Sequence, residues 1–197
     1  MSVRYRSGEG ELIPIIVLII LNVLVYIAIN IAGMMDVSIV GHLGLGVTTF
    51  LSDPWTIITY MFTHQDFFHL LANMLTLYFF GSFLNRITGV RTFLTVYFLG
   101  GIIAGIFVLL LAKPPYYLTI GASGAVFALG GVLTVLTPQL KVFIFPIPAP
   151  LPLWVAIVGG FLLMMLMPNV SWQGHLGGLL FGLAAGWYLR RRLRLIL

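Results

Sequence analysis

The chain has 197 residues, 60% of them hydrophobic and only 8% charged, with a mean hydropathy of +1.11. Soluble domains carry about 25% charged residues, so this composition excludes an ordinary soluble protein and fits a polytopic membrane protein of about six spans. The formal net charge of +5 does not point to nucleic acid, because the basic residues sit at the ends of apolar runs, and the absence of cysteine excludes disulfides, a thiol nucleophile and thiolate metal ligands.

In chain order, residues 1–11 form a short polar tail with Arg4 and Arg6. The first span is read at 12–32, with Pro14 tolerable in its opening turn. It lacks a small-residue cleavage site and is taken as a retained helix, not a removed signal peptide. Residues 33–63, which include Asp36, His42, Asp53 and Pro54-Trp55, are too long and too apolar for a tight loop. A partly embedded segment shielded by protein is expected there. The second span is read at 66–84, followed by Asn85-Arg86, and the third at 92–112, broken by Lys113-Pro114-Pro115. The fourth covers 120–136 and stops at Thr137-Pro138. Lys141 follows, and then Pro146, Pro148, Pro150 and Pro152 alternate, which excludes a regular helix and predicts an interfacial segment. The fifth span is read at 153–167, and residues 168–171 make a turn. The sixth, 174–189, ends in Arg190-Arg191-Arg192-Leu193-Arg194. The expectation is one all-α membrane domain over residues 1–197.

Orientation follows from the basic residues. Arg4, Arg6, Arg86, Arg91, Lys141 and the four C-terminal arginines fall on one side of this arrangement, and only Lys113 on the other. The positive-inside rule then makes both termini cytoplasmic. Spans two, four and six would run inward from the outer face, bringing His69, Ser123 and His175 to one depth.

These residue types suit nucleophilic catalysis. Ser123 lies in Gly121-Ala-Ser123-Gly124; small residues of this kind also serve close helix packing, and this is not the G-x-S-x-G elbow of soluble hydrolases. A serine hydroxyl is a weak nucleophile until a base takes its proton, and a histidine inside a membrane is costly enough to call for a function. His175 opens a stretch with Gly178, Gly182 and Gly186 on one helical face, which would let that helix lie close to the one carrying Ser123. His69 and Asn73, at i and i+4, share a face and suit donation to an oxyanion; interhelical hydrogen bonding is the plainer alternative. Asp66 is read as the cap of the second span, so no acid is assigned to orient His175. His64 is read as ordering the loop through a hydrogen bond, and Phe127 as packing on His175. The histidines lack an H-E-x-x-H pattern or a carboxylate within either stretch, and no metal or cofactor is expected.

Taken together, His69-x-x-x-Asn73, Gly121-x-Ser123-Gly124, and His175 followed by Gly178 and Gly182 resemble the motifs of the rhomboid intramembrane serine proteases, over residues 12–189. The resemblance implies a six-transmembrane-helix bundle with Ser123 and His175 as catalytic dyad. His69, Asn73 and the amide at the serine would line an oxyanion hole, with Gly121, Gly124, Phe127, Gly178 and Gly182 in support. Residues 33–63 would be a lateral loop dipping into the outer leaflet of the cell membrane. Transmembrane protein substrates would be cut near their outer ends after local unwinding. With no seventh helix or soluble extension in view, a minimal form of prokaryotic type is expected. The chain departs from the family where Trp55 precedes Thr56 in place of arginine, where Gly174 replaces the usual alanine, and where Phe127 replaces a frequent tyrosine. The alternative is a non-catalytic rhomboid-like module that binds transmembrane helices. A transporter is disfavoured, because no inverted repeats or midplane charges are evident.

Overall fold

The computed structural model describes residues 12–113, 118–143, 148–168 and 170–193. The polar tail with Arg4 and Arg6, the Pro114-Pro115 break, Pro146, Asn169 and Arg194 lie outside the described residues.

The protein is an all-α polytopic membrane protein. Helix α1 (Ile13–Met34) is apolar on every side, with a proline in its first turn. Only Ile15, Leu18 and Asn22 are buried against the protein, and the rest of its surface suits lipid. After it, α2 (Val40–Leu43) and α3 (Thr56–Thr59) lead through a 3₁₀ turn, Tyr60–Phe62, to a long rod. The rod consists of α4 (Phe67–Thr76), a π-helical turn at Leu77–Gly81, and α5 (Ser82–Thr88). Asp66 caps it, the carboxylate accepting the His69 amide at 2.9 Å. The rod extends past the expected end at 84, because Asn85 and Arg86 continue the helix until Gly89 (φ +88) terminates it. Helix α6 covers Val90–Leu111. The α1 helix, the rod and α6 are each long and apolar enough to cross a bilayer.

Helix α7 (Ser123–Leu136) starts three residues later than the sequence reading placed it. The delay has a cause: Gly121 holds φ +113, which no helix can include. At 14 residues α7 is about 21 Å long, short of the ~30 Å hydrocarbon core. Eleven of those residues are buried, so α7 is a central post sheathed by its neighbours. Beyond it, Lys141–Val142 (β1) and Leu151–Pro152 (β2) pair antiparallel. This small ladder was not foreseen in the proline-rich stretch. Helices α8 (Leu153–Met165) and α9 (Trp172–Leu193) complete the described chain; α8 ends two residues early and α9 outruns the expected 174–189 at both ends.

Helix α9 lies backbone-to-backbone on α7. The Gly124 carbonyl occupies the space where a β-carbon of Gly178 would stand, and the Ala128 carbonyl does the same at Gly182. One turn on, a β-carbon at Gly186 would come within 3.0 Å of Val132. Glycines at these positions let backbones approach until Cα–H faces C=O, which compensates for the lack of a hydrophobic drive between helices in lipid.

Candidate active site

The seam between α7 and α9 fixes two side chains against each other. Ser123 is the first residue of α7 and His175 lies in the first turn of α9. Ser123 Oγ and His175 Nε2 are 2.7 Å apart. His175 is buried, and its Nδ1 has no hydrogen-bond partner among the described residues. Its ring is held instead by Phe127, one turn along α7, at 4.7 Å between centroids and a 32° tilt. A phenyl ring suffices for this contact; the hydroxyl of a tyrosine is not required.

His69 reaches the same place from α4. A β-carbon at Gly121 would lie 2.6 Å from His69 Nε2 and 3.8 Å from Ser123 Oγ. Glycine at 121 thus meets two needs, the left-handed backbone and the close approach of an imidazole. Asn73, also buried, spends one amide hydrogen on the His69 carbonyl at 2.9 Å, which leaves its second for another acceptor. The start of a helix also leaves its first backbone amides without intrahelical partners, and here those amides belong to Ser123 and its neighbours. His69 and the first amides of α7 therefore lie close to one hydroxyl, beside the positive end of a helix dipole, and Asn73 lines the same cavity.

His64 is buried in the connection that leads into the rod. It packs edge-on against His69, with centroids 5.0 Å apart. Among the described residues no three His, Asp or Glu side chains gather as metal ligands.

The long connection is braced without an arginine. Trp55 Nε1 donates to the His42 carbonyl at 2.8 Å, Thr59 to Leu43 at 2.7 Å and Thr56 to Asp53 at 2.6 Å. Leu45 and Thr119 exchange backbone hydrogen bonds of 2.9 and 2.8 Å, so this connection also grips the strand leading to Ser123. Thr119 in turn contacts Ser171 at 3.3 Å, just before α9. The sequence reading missed both links, and a lone Thr in an extended tripeptide gives no signal for either.

A cavity of about 1830 Å³ opens over the site. Ser123, His175, His69 and Asn73 line its polar end. It continues between the rod, through Phe79 and Phe80, and α8, through Ala156, Ile157 and Met164.

The Rhomboid domain profile matches residues 51–192. Rhomboid protein 1, mitochondrial, of Saccharomyces cerevisiae is 31% identical over 151 residues, covering 72% of this chain and 44% of that protein. Two Bacillus subtilis relatives carry protease names. The putative rhomboid protease YdcA is 41% identical over 78 residues, 40% of this chain and 39% of its own length. The rhomboid protease GluP is 32% identical over 132 residues, 66% of this chain and 25% of its own length. The chain spans less than half the length of each of these relatives. On the extent of the domain match and the yeast relative, the chain belongs to the rhomboid family.

Proposed function

We propose that the protein is an intramembrane serine endopeptidase acting on transmembrane helices. The observation that carries the reading is the 2.7 Å contact between Ser123 Oγ and His175 Nε2. Nε2 acts as general base, so the neutral ring carries its proton on Nδ1, and Ser123 Oγ attacks the peptide carbonyl as that base takes its proton. The tetrahedral oxyanion accepts from His69, from the second amide hydrogen of Asn73, and from the first amides of α7; one such donor is typically worth about 3 kcal/mol. His175 returns the proton to the leaving amine as the C–N bond breaks. Water then attacks the acyl-enzyme with His175 again as base, releasing the acid and restoring Ser123. Phe127 takes the orienting part that an acid plays in a triad.

Substrate helices reach the dyad sideways, through the gap between the rod and α8, with α8 as the mobile element. The distribution of basic residues supports six crossings with both termini cytoplasmic, so cleavage falls near the outer end of the substrate.

Labelling the detergent-solubilised protein with a fluorophosphonate, followed by mass spectrometry, tests the chemistry without a known substrate. We expect an adduct on Ser123, with a labelling rate that falls by about 10³-fold or more in His175→Ala. No adduct on folded wild-type protein, or one that survives His175→Ala, replaces this reading with the non-catalytic helix-binding module.

A further inference from the structure

Tyr60 lies in the 3₁₀ turn before the rod and is buried. It makes two anchoring contacts in opposite directions. Its carbonyl accepts the Gly121 N–H at 2.9 Å, and its hydroxyl donates to the Gly101 carbonyl of α6 at 2.6 Å. The phenol sits in a notch built from small residues. A β-carbon at Gly105 would be 3.4 Å from the ring, and one at Gly124 would be 3.5 Å from the hydroxyl. Gly105 of α6, which the catalytic mechanism does not use, thus forms one wall of that notch, with Ile57 and Leu45 closing on it as well.

We propose that Tyr60 is a positioning residue for Ser123, tying the left-handed Gly121 turn to α6 so that the serine meets His175 in one orientation. The proposal rests on Ser123 being the nucleophile. Its physical basis is the freedom of glycine. Gly121 tolerates φ on either side of zero, so its own backbone does not choose a direction for the peptide that leads to Ser123. The hydrogen bond from Gly121 N–H makes that choice, but only if the accepting carbonyl is itself held still. Thr63 N–H at 3.2 Å holds it within the 3₁₀ turn, and the hydroxyl ties that turn to α6, where the Gly101 carbonyl belongs to the interior of a 22-residue helix. Removing the hydroxyl leaves no orphan acceptor, since that carbonyl keeps the intrahelical N–H of Gly105. Loss of orientation should therefore separate from loss of folding.

The test is the concentration dependence of fluorophosphonate labelling, which divides into a maximal rate, kinact, and an apparent affinity, KI. In Tyr60→Phe, kinact should fall about tenfold, with KI and the thermal unfolding midpoint close to wild type. p-Aminophenylalanine at position 60, which restores a donor, should recover most of the rate; p-methylphenylalanine, which keeps the volume and lacks the donor, should not. The methyl analogue decides the matter where Tyr60→Phe folds poorly. Unchanged kinact in the donor-less variants, or a lowered midpoint with unchanged kinact in the folded fraction, overturns the proposal while leaving Ser123 as nucleophile. Wild-type protein that takes no label removes that nucleophile and the proposal with it.

Discussion

The α7–α9 seam and the gap between the rod and α8 are both apolar, yet they are built on opposite terms. Along the seam, glycines are present because nothing larger fits: backbone carbonyls fill the β-carbon positions of Gly178 and Gly182. Along α8, Gly159 and Gly160 have no atom within 4 Å of a β-carbon position. Only Leu153 and Ile157 of that helix are buried, while Trp154, Val158, Leu162 and Leu163 are exposed. Its hold on α7 consists of contacts such as Ile157 over Gly130 and an edge-on Phe127–Phe161 pair at 6.3 Å. A dyad needs tolerance of a fraction of an ångström, and it sits on the side where packing allows no choice. Access needs movement, and it falls where little burial opposes it.

The hardest way to break the contrast is to force the seam apart. Gly178→Ala puts a methyl group where the Gly124 carbonyl stands, and backbone on both sides cannot yield as a side-chain tip would. We expect about 3 kcal/mol of lost stability and loss of Ser123 labelling, because Ser123 and His175 lie on the two separated helices. Unchanged labelling with an unchanged denaturation midpoint would mean the seam is slack. Closing the gap should have the complementary effect. Phe80 and Ile157 both approach Gly130, a β-carbon there lying 3.3 and 2.5 Å from them. The chain has no cysteine of its own, so Phe80→Cys and Ile157→Cys can be joined selectively by a bifunctional thiol reagent. The bridged protein should stop cutting a transmembrane reporter while still accepting the small fluorophosphonate. Cleavage at the unbridged rate would remove α8 from the path of the substrate.

The seam was legible in the sequence for a physical reason. Gly178, Gly182 and Gly186 repeat every four residues, and His69 with Asn73 do the same, so both sets mark helix faces without any knowledge of the partner. The all-α class followed from composition, since a bilayer admits few other folds. What stayed hidden depends on contacts distant in sequence. The π-helical turn at Leu77–Gly81 falls in an apolar run with no local mark; its register answers to Phe93 and Ile15, which close on Gly81 at 2.9 and 3.4 Å from a β-carbon there. The two anchors of Tyr60 are set by the connection folding against α6 and the Gly121 turn. Apolar length alone also blurred the helix ends: the start of α7 is fixed by a single dihedral at Gly121, and the rod runs on to Gly89.

The smallest expected effect tests the slack side directly. Gly159→Ala makes the same chemical change as Gly178→Ala, but into open space. A helix-interior glycine costs roughly 0.5–1 kcal/mol relative to alanine through the backbone freedom it gives the unfolded chain. With no contact to disturb, the substitution should raise stability by up to that amount and leave Ser123 labelling at the wild-type rate. Cleavage of a transmembrane reporter then reads something labelling cannot. If access requires α8 to bend within its own length, the stiffer helix should slow cleavage; if α8 swings as a rod from its β2 junction, cleavage should hold. A loss of stability comparable to that of Gly178→Ala would show that α8 is as tightly seated as α9, and the division of the molecule into a fixed seam and a yielding gap would be wrong.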